Sequence, residues 1–129
     1  MRMLFSIVAA AALLAVPLAA HAAKTAKTLT YHTSYQQTQP LASAGQYTGR
    51  MTLHFYADGT VNGTYRDEYE GGFESVSGGL TGDRLWLSFG SRGRHQFNGT
   101  IGKGGVISGS LTNWRGPKVY AFKAVPSTS

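Results

Sequence analysis

The side chains able to do chemistry in this chain are present, but they are not spaced for it. Beyond His21 the histidines are His32, His54 and His95, far apart, and none stands in a His-x-x-x-His relation with a neighbouring Glu. Each is expected on the polar face of its strand, so the sequence predicts surface histidines and no metal site. Serines are plentiful, yet no Gly-x-Ser-x-Gly elbow exposes one as a nucleophile. Gly102-Lys103-Gly104-Gly105 lacks the Lys-Ser/Thr of a phosphate loop and precedes a strand, which makes it a hairpin turn. Asp67, Glu68, Glu70 and Glu74 bring carboxylates together, as glycoside chemistry or a hard cation would need. Their spacing fits no standard loop, so a solvated turn is the simpler reading. With no nucleophile, base and orienting group in one constellation, the chain reads as non-catalytic, with no cofactor.

Binding chemistry is better represented. The chain has seven tyrosines, and those on an inner face pack a core while offering a hydroxyl to a pocket. Tyr47 and Tyr65 are of this kind. Asn113-Trp114-Arg115-Gly116-Pro117 sets an aromatic beside a guanidinium and is the most interaction-like loop.

Strands must position these residues. Four segments share a large residue, Gly and a large residue at alternate positions: Tyr47/Gly49/Met51, Val61/Gly63/Tyr65, Phe97/Gly99/Ile101 and Ile107/Gly109/Leu111. Residues two apart lie on one strand face, so each Gly joins its bulky neighbours inside. Inner-face glycine suggests a strand that bends or closely approaches another backbone. Strands are expected over Thr28–Gln36, Tyr47–Tyr56, Val61–Asp67, Phe73–Ser77, Arg84–Phe89, from Phe97 to Ile101, from Ile107 to Leu111, and Val119–Val125. Asp58-Gly59 is a strong hairpin signal, and Gly78-Gly79 with Gly82-Asp83 bracket another corner. About eight short-linked antiparallel strands give an all-β fold, a small up-and-down meander barrel, because closure removes the edges. A two-sheet sandwich is the alternative.

Composition sets the context. Arg2, the apolar run Leu4–Leu18 and Ala20-His21-Ala22 make residues 1–22 a cleavable signal peptide, leaving residues 23–129 as one domain. Such a domain buries about 60–70% of its unfolded surface, enough for one core. There is no Cys, hence no disulfide and no lipid-modified cysteine. An Ala-rich signal on a cysteine-free domain points to a bacterial chain in the periplasm or secreted, with no transmembrane segment after cleavage. The formal charge is +6. Basic residues lie singly along the C-terminal half without an aromatic-basic motif, so nucleic acid is not an expected partner.

Ala57-Asp-Gly-Thr-Val-Asn-Gly-Thr-Tyr65 resembles a hairpin of the avidin/streptavidin family. The likeness continues through Glu74-Ser75, Leu80-Thr81-Gly82, Trp86, Phe97-Asn98-Gly99 and Thr112-Asn113-Trp114, and with gaps it covers most of residues 46–122. It implies an eight-stranded meander barrel with a ligand pocket in its mouth. Tyr65 would match a tyrosine that hydrogen-bonds the ligand head, and Trp86, Phe97 and Trp114 an aromatic box. The polar partners differ. Arg50 and Asp67 stand at serine positions and Tyr120 near an aspartate, and a site stripped of its hydrogen-bond partners loses several kcal/mol, which argues against biotin. Strand alternation sets Trp86 opposite Leu85, Leu87 and Phe89, so either Trp86 or the leucines face the lumen.

Two functions follow as expectations. The first is an exported, non-catalytic barrel binding a small, partly apolar ligand through Tyr47, Tyr65, Phe97 and Trp114. The alternative is an envelope protein-interaction domain that meets an anionic component or a protein through its basic surface and has no pocket. Oligomeric state is not set by the sequence.

Overall fold

The computed structural model describes residues 25–40, 45–68, 71–90, 95–113 and 118–127. The expected signal peptide, residues 1–22, and Trp114 lie outside these residues. Eight strands are found among them: β1 Thr25–Gln39, β2 Tyr47–Tyr56, β3 Thr60–Asp67, β4 Phe73–Thr81, β5 Arg84–Phe89, β6 His95–Ile101, β7 Ile107–Asn113 and β8 Val119–Pro126. Each pairs antiparallel with the next, and β8 returns to β1, closing a barrel. The meander barrel is therefore the fold, and the sandwich is not.

Closure depends on β1. Its first part pairs with β2, from Thr25 opposite Tyr56 to Tyr35 opposite Tyr47. Its later part pairs with β8, from Tyr31 opposite Pro126 to Gln39 opposite Val119. One strand overlapping its two neighbours at different heights supplies the stagger that a closed barrel requires. This is why β1 runs longer than the expected Thr28–Gln36.

Alternation is written into burial. In β2, Gly49, Met51, Leu53 and Phe55 are buried, while Thr48 and Arg50 on either side of Gly49 face solvent. Tyr31, Leu53, Leu87, Phe97 and Ile107 are among the most buried side chains of the core. The inner-face glycines serve close approach rather than turning. A Cβ at Gly63, Gly99 or Gly109 would overlap the carbonyl oxygen of Thr52, Ser108 or Asn98 on the adjacent strand. At Gly49 it would lie 2.5 Å from the Arg66 carbonyl oxygen.

The chain turns at Gly82-Asp83, as expected, but Gly78-Gly79 is no part of that corner. Both residues lie within β4, opposite Leu87 and Trp86 of β5, and the strand runs on to Thr81. Gly78 takes the same role as the other inner glycines, since its Cβ would overlap the Trp86 carbonyl oxygen. The strand phase is also decided. Leu85, Leu87 and Phe89 are buried, whereas Trp86 is on the outer wall and 50% exposed. Trp86 is thus no part of an aromatic box. Its indole lies over Gly79, where a Cβ would be 2.8 Å from Nε1.

Candidate functional site

The interior is not filled evenly. At the end where β1 leads to β2, β3 to β4, β5 to β6 and β7 to β8, a cavity of about 300 Å³ opens above the core. Its aromatic wall comes from Tyr35 of β1, Tyr47 of β2 and Tyr120 of β8, all half-buried. Phe89, Leu111 and Phe122, all buried, form apolar lining below. Asp67, Glu74, His95 and Asn113 add polar groups. The volume lies at the lower end of the range for small-molecule sites.

The wall is ordered by ring contacts. Tyr35 stacks on Tyr47 with centroids 5.1 Å apart and 23° between planes. Tyr120 meets Tyr35 edge-on at 5.4 Å and 86°. The Tyr35 hydroxyl donates a 2.7 Å hydrogen bond to Asp67 Oδ2, which fixes the ring against β3. Below, Tyr65 packs edge-on to Phe89 at 5.4 Å, and Phe97 lies 5.3 Å from Phe122.

Tyr65 is buried and lines the cavity, but its hydroxyl oxygen is closed off from solvent and has no hydrogen-bond partner among the described residues. The same holds for Thr33 Oγ1. Gly49 makes the room they occupy, because a Cβ there would lie 2.8 Å from the Tyr65 hydroxyl and 3.1 Å from Thr33 Oγ1. Burial pushes the Tyr65 pKa well up, and the Asp67 charge adds to the effect. The Thr33 and Tyr35 hydroxyls oppose it, and Glu74 raises it further, although no neighbouring hydroxyl reaches good hydrogen-bonding geometry. Tyr120 is likewise raised, first by burial and then by Tyr47. Tyr65 and Tyr120 therefore remain neutral phenols at physiological pH.

Of the four residues expected to bind ligand, Tyr47 and Tyr65 line this cavity. Phe97 is fully buried and supports Phe122 without lining the cavity itself. Trp114 lies outside the described residues. The sequence reading missed Tyr35, Tyr120 and Asn113, and it misplaced three others. Asp67 and Glu74 were expected in a solvated turn, but they share the inward phases of Tyr65 and Val76 and line the cavity. His95 was expected on the polar face, yet it lies two residues from buried Phe97 and also lines the cavity. His32 and His54 do face outward, His54 bonding Thr28 Oγ1 at 2.9 Å. Among the described residues no three His, Asp or Glu side chains are gathered closely enough to hold a metal ion.

The chain matches no protein-family model, and a search of curated proteins gives no significant match.

Proposed function

We propose that this protein is an exported binding module that takes one small, partly apolar ligand into the open end of its barrel and does no chemistry on it. The observation that carries the reading is the cavity itself, where stacked and edge-on tyrosines stand over an apolar floor with a few polar groups at one side. This is the usual composition of a small-molecule site. The avidin-like segments support the same arrangement, a meander barrel with its ligand in the mouth, while the changed polar residues point to a ligand other than biotin.

A thermal-shift screen tests the proposal. Ligand at a hundredfold over its Kd stabilises the folded state by about 2.7 kcal/mol. For a domain of this size that raises Tm by roughly 10–20 °C. Tyr47→Ala should abolish the shift and lower the unliganded Tm by only a few degrees, because Tyr47 is half-buried and its main loss is the stack on Tyr35. A hit whose shift survives both Tyr47→Ala and Tyr120→Ala would place the ligand elsewhere.

A second reading has its own observation. His32, Arg50, Arg66 and Phe73 stand in one cross-strand row on the outer wall. Phe73 is 72% exposed, and the Arg66 guanidinium lies 5.3 Å over its ring. Like charges directly opposite repel, and among the described residues Glu68 lines the hollow that the two arginines share. An anionic envelope component or an acidic protein would relieve that repulsion. This surface lies on β1–β4 rather than on the C-terminal strands, and binding through it should weaken steeply with salt.

A further inference from the structure

Three large hydrophobic side chains are exposed among the described residues: Phe73, Trp86 and Val125. Two of them stand at the ends of the outer-wall row of cations. That row runs from Phe73 on β4 through Arg66 on β3, Arg50 on β2 and His32 on β1 to Val125 on β8, each directly opposite the next. All five are exposed. Lys123, two residues before Val125 on the same face, lies diagonal to His32. At about 4.8 Å per strand, the stretch from Phe73 to His32 covers roughly 14 Å.

The cations are available. Arg50 makes no hydrogen bond or ion pair among the described residues, and Arg66 is held by its place over the Phe73 ring. Glu68, the carboxylate of the hollow they share, accepts a 2.6 Å hydrogen bond from Thr48 Oγ1. Tyr69 and Glu70 lie outside the described residues. Phe73 opens β4 at the end of the barrel where the cavity opens, one residue before Glu74 of the lining. The ring therefore projects from a rim, 72% exposed even with a guanidinium over its face.

The order of charged and apolar groups selects the partner. A protein interface keeps its apolar anchors at the centre and its charges at the rim. Here the cations are central and the apolar groups terminal. Among the described residues the hollow between the arginines is lined by charged side chains alone, which gives an apolar anchor no slot. A closed barrel also has no strand edge to which a peptide could add. A lipid surface fits the observed order, with guanidinium groups at the level of the phosphates and an aromatic ring at the boundary of headgroups and acyl chains.

We propose that this row docks the protein on a bilayer rich in anionic phospholipid, with Arg50 and Arg66 on lipid phosphates and Phe73 inserted beside them. The inference rests on the outer-wall reading and deepens it, and it is independent of the cavity. One ring and a few cations give reversible association rather than anchoring.

Flotation of the processed protein with vesicles is the test. Phosphatidylcholine vesicles with about one-third phosphatidylglycerol should bind at least about tenfold more tightly at low salt than phosphatidylcholine alone. Arg50→Gln and Arg66→Gln should each lose about fivefold. Phe73→Ala should lose a similar factor on vesicles and nothing on soluble polyglutamate, because only a bilayer takes the ring. Arg84→Gln removes an exposed arginine of β5 outside the row and should stay within about twofold of wild type. All four side chains are exposed, so the fold is kept, and circular dichroism checks that. Equal affinity for the two vesicle types, no loss with Phe73→Ala, or an equal loss with Arg84→Gln overturns the bilayer assignment. Binding of polyglutamate but not of vesicles, lost with Arg50→Gln, overturns it too and leaves the row as a site for an acidic protein. Binding of neither removes the row as a docking surface altogether.

Discussion

Gly109→Ala probes the closeness of the strands that make the barrel. Gly109 faces Gly99 across β6 and β7. A Cβ there would overlap the Asn98 carbonyl oxygen and lie 2.6 Å from the Gly99 Cα. Carbon atoms rest at about 3.5–4.0 Å, so the two backbones would have to part by roughly 1 Å. Both strands are held on their far sides by β5 and β8, and a closed sheet gives them little room to move. Overpacking of this kind costs about 1–3 kcal/mol. Against it, Ala restricts the unfolded chain and returns about 0.4–1 kcal/mol. A net loss of about 1–2 kcal/mol should lower the urea midpoint by roughly 1 M at an unchanged slope. Gly72→Ala is the matched control, since nothing lies within 4 Å of its Cβ, and it should be neutral or slightly stabilising. The assay is equilibrium urea unfolding followed by circular dichroism. A Gly109→Ala midpoint equal to wild type would refute the close-approach account of the inner glycines.

Other expectations follow from the same contacts. Leu87→Ala should cost about 2–5 kcal/mol, and Trp86→Ala less than about 1 kcal/mol, because the first is fully buried and the second half exposed; the reverse order in urea unfolding would put Trp86 inside. Tyr65→Phe should leave stability unchanged or raise it by up to about 1 kcal/mol, since it deletes a buried hydroxyl with no hydrogen-bond partner among the described residues; a clear loss in calorimetry would contradict that. Burial raises the pKa of Tyr31 to about 12, and Tyr65 and Tyr120 shift the same way. The folded state thus holds these protons more tightly than the unfolded one, whose tyrosines titrate near 10.0. Their contribution is intact below pH 10 and is lost as pH rises toward 12 and beyond. Tyrosinate absorbance should rise together with unfolding, and full titration of a still-folded protein would contradict it.

The architecture was legible because a half-buried strand has a strict period of two. The Met51, Leu53 and Phe55 alternation set β2 to the residue, and the inner glycines announced close backbones. Gly78-Gly79 misled because two adjacent glycines signal a turn as readily as a tight crossing, and only the partner strand tells them apart. Trp86 misled through likeness, whereas the phase of Leu85 and Leu87 pointed the right way. For the site, Tyr47 and Tyr65 were visible as inward tyrosines. Tyr35 and Tyr120 follow from the same phase rule, four residues from Tyr31 and two from Phe122, and were legible in principle. Asp67, Glu74 and His95 were hidden for a physical reason. Polar residues at strand ends look like turn residues until closure shows that the ends surround a cavity.

Native mass spectrometry of the processed protein, purified gently from its own cells, tests the central claim most directly. The account predicts a population heavier than the bare chain by one small molecule per barrel, released on mild activation and absent when Tyr47 and Tyr120 are both changed to Ala. The bare mass alone, or an adduct that survives the double substitution, would contradict it.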